Sequence, residues 1–464
     1  MDIRKVESVY FLGIGGIGMS ALARYFRSLG KTVAGYDRTR SLLTSALEKE
    51  GISVHYEADT SLIEPGVDLA IYTPAVKRDH PDYDFFEKAG IPMFKRAEIL
   101  GFIADQYKTI AIAGTHGKTT TTTLTAHILT QSQVKCQAFL GGISRNYDSN
   151  LLLAPGSSYL VAEADEFDRS FLHLHPHIAV ITSMDADHLD IYGNLASMIE
   201  SFAAYAGNIR NGGMLILKKG LNLPLQAREK VAVLRYSSGE PCDYYPDNIR
   251  LEKGLYEFDL HHPSGVIHDL ILGIPGWYNI ENAVAASACA LLNGVTENEL
   301  RAALNSFRGV ERRFDIRLQE SGLVYLDDYG HHPEELKACI TSARQMFPGR
   351  KITGIFQPHL YTRTRDFADD FARQLSLLDE VILLPVYPAR EEPIPGINAE
   401  MLLGKITAGK KKLVQKSELP ACLDGSSLEV LITMGAGDID RLVLPIENYL
   451  RGFIQNRNNQ EARL

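Results

Sequence analysis

The 464-residue chain has only five cysteines, Cys136, Cys242, Cys289, Cys339 and Cys422, and no two of them form a C-x-x-C pair. That scatter excludes a disulfide framework and a paired-cysteine zinc site, and it fits a reduced compartment. Basic charge is not in excess: 48 Lys and Arg stand against 57 Asp and Glu, a net charge of -9. Nothing therefore favours non-specific binding to nucleic acid or to an anionic membrane, so any anion must be held by local devices. No apolar run is long enough to cross a bilayer, and the opening Met1-Asp2-Ile3-Arg4-Lys5-Val6-Glu7 is not a signal peptide. A cytoplasmic protein is expected. Internal repeats and low-complexity tracts are also missing. What is present is an ordinary globular balance, 45% hydrophobic and 23% charged residues, over a length suited to two to four domains.

The most informative stretch is Ile110-Ala111-Ile112-Ala113 running into Gly114-Thr115-His116-Gly117-Lys118-Thr119-Thr120. A β-branched run ends in a glycine turn, and an apolar helical pattern follows through Leu129. This is the strand–loop–helix setting of a phosphate-binding loop. Glycines let backbone N–H groups close on an anion, the helix start adds partial positive charge, and Lys118 supplies a full one. Thr119 stands where a hydroxyl reaches a magnesium ion on the same phosphates. The strict pattern would place glycine at position 112, where this chain has Ile112. A plain strand-to-helix turn does not account for a Gly-Lys-Thr-Thr helix start.

A second glycine turn lies near the N-terminus. The strand pattern Val9-Tyr10-Phe11-Leu12 enters Gly13-Ile14-Gly15-Gly16-Ile17-Gly18-Met19-Ser20, and a helical pattern follows. Gly13, Gly15 and Gly18 fit G-x-G-x-x-G, and Asp37 closes the next strand at about the ~20-residue spacing of a ribose-binding acid. A dinucleotide fits this pattern, and so does any diphosphate, including that of a nucleotide sugar. Further strands are expected at 67–72 and 91–94. A fresh strand after Tyr107 argues for a second domain.

Two strand ends beyond the phosphate loop carry acids. Tyr159-Leu160-Val161-Ala162 ends in Glu163-Ala164-Asp165-Glu166-Phe167-Asp168, and Glu163 is the best candidate to hold magnesium. The strand 177–182 ends in Ser183-Met184-Asp185-Ala186-Asp187-His188. There Asp185 or Asp187 suits magnesium better than His188 does, because the ion prefers oxygen. Asn279 and Asn282 open an Ala-rich helix on one face. Their amides suit an adenine edge, though capping alone ranks above ligand binding for such a pair.

Towards the C-terminus, Gly309-Val310-Glu311-Arg312-Arg313-Phe314-Asp315 marks the last boundary. The strand 323–326 then ends in Asp327-Asp328-Tyr329-Gly330-His331-His332-Pro333. The strand 352–356 ends in Gln357-Pro358-His359-Leu360-Tyr361-Thr362-Arg363-Thr364-Arg365. Two apparently consecutive strands thus carry His, Tyr, Asp and Arg at their carboxyl ends, where open α/β sheets place ligands.

The Gly114–Thr120 loop, the Glu163–Glu166 strand end and Asp187-His188-Leu189-Asp190 together resemble the Mur ligases of peptidoglycan synthesis. Asn279-x-x-Asn282, Arg312-Arg313-Phe314-Asp315 and the Asp327–Pro333 turn extend that resemblance, in order, over essentially the full length. It implies an α/β chain of three domains: a Rossmann-like UDP-binding domain over residues 1–107, a P-loop ATPase domain over 108–309, and a Rossmann-like amino-acid-binding domain over 310–464. It implies that Gly13, Gly15, Gly16, Gly18, Met19 and Asp37 hold a UDP-sugar. Lys118 becomes the β/γ-phosphate lysine, and Thr119, Glu163 and His188 the magnesium site. Asn279, Asn282, Arg313 and Asp328 become nucleotide contacts, with Lys118, Glu163, His188 and Arg313 catalytic. Tyr329, His359 and Arg363 fall to the amino acid.

Within the family, the glycine-rich start with Met19-Ser20 and the Tyr329-Gly330-His331-His332 turn resemble the member that takes UDP-N-acetylmuramate, L-alanine and ATP, and that resemblance implies magnesium as cofactor and a monomer or homodimer with no nucleic-acid partner and no membrane insertion. The family's reaction phosphorylates a carboxylate, and an amine then displaces the phosphate under a closing C-terminal domain. Two departures stand out. Leu360 occupies a place where arginine is common, and residues 201–208 lack the lysine that several sister ligases carbamylate. The alternatives are a ligase that recycles a murein tripeptide, an ATP-binding regulator without ligase activity and, least favoured, a dehydrogenase.

Overall fold

The computed structural model describes residues 3–186, 189–224, 231–320, 322–389 and 391–461. Three mainly parallel sheets flanked by helices form three domains. The chain divides into two compact units, one of them running through Arg250 with Glu257–Gly273 and Ile280–Gly309. The other holds Leu251–Tyr256, Ile274–Asn279 and Val310–Leu464.

In the first unit, an all-parallel sheet is ordered Ser53–His55, Thr32–Tyr36, Ser8–Leu12, Leu69–Tyr72, Met93–Lys95. The first strand in sequence is therefore central, and the chain leaves it in opposite directions for the two halves of the sheet. The crevice at the carboxyl end of that strand is where such sheets bind ligands. The helix Ile17–Ser28 follows it and buries Met19, Leu22, Ala23 and Phe26. Its alternation of apolar and polar residues has the helical period, and Leu29-Gly30 ends it.

The second sheet runs Ala232–Tyr236, Met214–Lys218, Ile178–Ile181, Lys108–Ala113, Tyr159–Glu163, Gln137–Ser144, Ser149–Leu152, with only the last pair antiparallel. Lys108–Ala113 is buried on both faces after its first residue, as its unbroken apolar run requires. The N-terminal and middle domains share one continuous apolar core that includes Phe11, Phe26, Ile103, Phe139, Phe171 and Tyr205. Tyr25 packs against Phe139 with ring centroids 5.5 Å apart. Asn150 donates its amide to the Ile17 carbonyl at 2.6 Å and to Ser20 Oγ at 2.9 Å. Gly101 abuts the His173 carbonyl so closely that no Cβ fits there.

In the second unit, the sheet order is Asp315–Gln319, Val324–Asp328, Val430–Met434, Ile352–Phe356, Glu380–Leu383, Lys410–Leu413, antiparallel only at the first strand. The two strands whose ends carry the histidines and arginines are not neighbours. Val430–Met434 crosses back between them, so their carboxyl ends flank it. A smaller sheet of Tyr245–Glu252, Leu255–His262 and Gly265–Leu272, not anticipated from the sequence, completes the described strands. No described helix is long and apolar enough to cross a membrane.

Candidate active site

The loop after Lys108–Ala113 is shaped by the strand beside it. Thr182 Oγ1 donates to the carbonyls of Ala113, at 3.1 Å, and His116, at 2.5 Å. Ser183 Oγ accepts the His116 N–H at 2.7 Å and lies 2.9 Å from Thr115 Oγ1, which in turn accepts the Asp185 N–H. Gly114, at φ +135°, leaves no room for a Cβ against Thr182, and Gly117, at φ +80°, begins the helix Lys118–Gln131. Both glycines are thus required, one for space and one for a left-handed turn. Thr119 and Thr120 follow, both buried.

Lys118 does not project idly into solvent. Its Nζ donates to the Gly114 carbonyl at 2.6 Å and to Glu166 at 2.9 Å, with the other Glu166 oxygen at 2.8 Å. Burial disfavours the ammonium, but Glu166, Asp165 and Glu163 outweigh it and raise its pKa above the usual lysine value. Glu163 pairs in register with Ile112, so its strand end lies beside the loop, and its carboxylate is packed over Gly141. His188 lies outside the described residues, as does Asp187. Asn282 Oδ1 accepts from Thr121 Oγ1 at 3.1 Å, and a Cβ on Gly117 would meet it at 2.7 Å, so this amide backs the loop. Asn279, in the first turn of Tyr278–Leu292, donates to the Pro275 carbonyl at 2.6 Å, an arrangement of the capping kind.

In the N-terminal turn, Gly13 has φ +86°, and a Cβ there would meet Thr73 Cγ2 at 2.7 Å. Asp37 accepts the Gly15 N–H at 2.8 Å and the Thr39 N–H at 3.0 Å, so it braces the glycine turn from behind. Gly16 caps the helix, and Met19 is buried within it. The turn itself carries no charged side chain. The guanidinium of Arg96, at the start of the helix Arg96–Ala104, lies across Gly18.

The strand ends of the second unit form a separate cluster. Tyr329 has the Arg312 guanidinium 5.2 Å and the Arg313 guanidinium 4.9 Å from its ring centroid. Asp328 accepts the N–H groups of Phe314 and Gly330, each at 2.7 Å, and burial raises its pKa to about 6 despite Arg313 and these donors. His331 stands 5.8 Å from His359, which stacks on Tyr387 at 5.7 Å. Arg363 is buried within the helix Tyr361–Asp366, and Leu360 before it has φ +70°, a strained backbone for a branched side chain.

Five side chains of this architecture were not singled out from the sequence: Thr182, Ser183, Glu166, Arg96 and Arg312. Glu166, Ser183 and Arg312 lie in motifs where a neighbouring residue is the candidate, whereas Thr182 and Arg96 carry no local signature, because their side-chain partners lie 66 to 69 residues away.

A Gly-Thr-His-Gly-Lys-Thr loop flanked by acidic strand ends, on a domain that shares its core with a second glycine turn, has the form of a nucleotide-binding enzyme. Residues 8–108 match the catalytic-domain model of the Mur ligase family, 112–290 the Mur ligase middle domain, and 312–437 the Mur ligase glutamate ligase domain. The chain belongs to the Mur ligase family. It is 51% identical over 455 residues to the UDP-N-acetylmuramate–L-alanine ligase of Parabacteroides distasonis, covering 97% of this chain and 98% of that one. The solved UDP-N-acetylmuramate-alanine ligase of Thermotoga maritima has a TM-score of 0.83 at 27% identity, over 97% of this chain and 99% of the other. A murein peptide ligase from Psychrobacter arcticus shares the fold, with a TM-score of 0.70 at 20% identity over 96% and 98%.

Proposed function

We propose that the chain joins L-alanine to the lactyl carboxylate of UDP-N-acetylmuramate, converting ATP to ADP and phosphate. Residues 1–107 hold the sugar nucleotide, 108–309 the ATP and 310–464 the amino acid. What carries this reading is the placement of the 13–18 glycine turn and the Lys118 loop at the carboxyl ends of two sheets sharing one core.

The chemistry follows from what a carboxylate lacks. Oxide is a poor leaving group, so the carboxylate first takes the γ-phosphoryl group of ATP. Both reactants are anionic. Lys118, held charged by its acidic neighbours, screens their repulsion and stabilises charge on the transferring oxygens. The alanine amine then attacks the acyl phosphate and phosphate departs. The amine must lose a proton, for which His188, His331, His332 and His359 are the candidate bases. Arg363 pairs with the alanine carboxylate, and Tyr329 with Arg313 and Asp328 frames the same cluster.

The donor set suits magnesium. Among the described residues no three His, Cys, Asp or Glu side chains gather to cage a metal. Thr119 and Glu163 instead offer oxygens beside the loop, as expected for an ion that keeps water and phosphate ligands; His188, the third residue the resemblance implies, lies outside the described residues. When bound, magnesium neutralises phosphate charge during transfer. The same reading puts the enzyme in the cytoplasm, where its thiols stay reduced; all five cysteines are free.

The test supplies ATP and UDP-N-acetylmuramate with either L-alanine or the L-alanyl-γ-D-glutamyl-diaminopimelate tripeptide, and weighs the product. Formation of the alanyl product is expected. Preference for the tripeptide would establish the recycling reaction instead, and ATP turnover indifferent to any amino acid would leave a nucleotide-binding regulator.

A further inference from the structure

We propose that Arg96 binds the sugar nucleotide directly, its guanidinium gripping the diphosphate above Gly18. The inference rests on the reading that residues 13–18 receive that diphosphate, and it adds the cation the turn lacks.

Gly18 lies within a regular helix and not in the left-handed region, so backbone conformation does not demand glycine there. Space does. A Cβ on Gly18 would stand 2.5 Å from Arg96 Nη1 and 2.9 Å from its Cδ. The third glycine of the pattern therefore makes room for an arginine of the same domain, which lies flat across the start of the helix.

Residues 13–18 are all glycine or isoleucine, and the first turn of Ile17–Ser28 holds no charged side chain. A diphosphate brought there meets backbone N–H groups alone unless a cation is supplied from elsewhere, in a chain of net charge -9. Two cations stand at the end of the strand Met93–Lys95. Lys95 is committed to Asp168 at 2.8 Å. Arg96 is tethered more loosely, with Nη2 3.5 Å from Asp165 and both side chains partly exposed, 23% and 35%. A pair that long and that wet binds only weakly. It aims the guanidinium without neutralising it, and leaves the planar fork to take two phosphate oxygens together. Asp165 also belongs to the acidic strand end beside Lys118, so Arg96 connects the two substrate loops.

A carboxylate of the same substrate offers similar chemistry, and the ligands of the test separate the two. Full-length wild type, Arg96→Gln and Arg96→Lys are titrated calorimetrically with UDP, UDP-N-acetylmuramate and ATP. Arg96→Gln is expected to weaken UDP and UDP-N-acetylmuramate alike, by roughly tenfold. ATP affinity should stay within about twofold and Arg96→Lys should fall between, since an ammonium keeps charge but loses the fork. Loss confined to UDP-N-acetylmuramate would move the contact to its carboxylate and overturn the diphosphate assignment. Unchanged UDP binding in a folded Arg96→Gln protein would overturn it outright. A poorly folded Arg96→Gln protein leaves the decision to Arg96→Lys, where wild-type UDP affinity overturns it. Failure of the wild type to bind UDP would instead remove the reading beneath it.

Discussion

The ammonium of Lys118 sits 2.8 and 2.9 Å from the two oxygens of Glu166, a carboxylate with no exposed surface. Each charge makes the other tolerable in the interior, so the phosphate-loop lysine is also a structural partner. Removing one member leaves an uncompensated buried charge, at a cost of about 3–5 kcal/mol, whereas neutralising both avoids it. Deleting the Lys118 side chain therefore disturbs the interior as well as the loop.

Lys118→Met alone should lower both turnover, by ~10²-fold or more, and thermal stability. Lys118→Met with Glu166→Gln should regain most of the lost stability but none of the turnover. Calorimetric melting and ATP hydrolysis on all four members of the cycle decide it. A fully stable Lys118→Met protein would mean the pair matters little to the fold.

The glycine turn yields a cleaner steric test at Gly16 than at Gly15. A Cβ on Gly15 would meet Thr44 Cγ2 at 2.7 Å and Asp37 Oδ2 at 2.8 Å, so Gly15→Val should disturb the protein itself. A Cβ on Gly16 meets nothing nearer than 3.6 Å. Gly16→Ala should cost under about 1 kcal/mol as a cap change, yet raise KM for UDP-N-acetylmuramate about tenfold by obstructing the diphosphate. KM for ATP should hold. Initial rates with each substrate varied show whether the effect is confined to one.

Arg363 should set the affinity for the amino acid, whose methyl side chain offers little burial energy. Arg363→Lys keeps a cation but loses two-point pairing with the carboxylate. KM for L-alanine should rise at least ~10-fold, worth about 1.4 kcal/mol, with KM for ATP little changed. Steady-state kinetics would register an unaffected alanine KM as evidence for a different grip.

His127 predicts an acid-side loss of stability. Its ring is buried between Tyr147 Oη, 2.8 Å from Nδ1, and Ser306 Oγ, 3.1 Å from Nε2. Burial lowers its pKa to about 4, below the usual value near 6.5. The unfolded chain therefore binds more protons between pH 4 and 6.5, and stability falls as pH drops through that window. The loss attributable to His127 is on the order of 3 kcal/mol. His127→Gln should flatten the slope of unfolding free energy against pH over that window, measured by urea melts. An unchanged slope would assign it to other groups.

Sequence pattern revealed those parts of the fold whose signal is local. Ile110–Ala113 announces a strand buried on both faces, and the glycines after it announce a turn into a helix. Lys410–Leu413 gives no such sign, since three of its four residues are lysine and it lies at a sheet edge. Sequence order misled about neighbours in the C-terminal sheet, because Val430–Met434 returns from far along the chain to separate strands that follow one another in sequence. Function was legible where several residues of one motif share a loop. Thr182 and Arg96 meet partners supplied by distant segments, so nothing adjacent to them marks those contacts.

The shared core of the first two domains bears on how this protein can be taken apart. Asn150 fastens the helix Ile17–Ser28 by a carbonyl and a hydroxyl, and Tyr25 buries its ring against Phe139. A cut near Tyr107 would open an oily wound on both fragments and orphan the Asn150 amide. Residues 1–107 are thus less a detachable module than one side of a core whose other side is the middle domain, and the two should melt and express together.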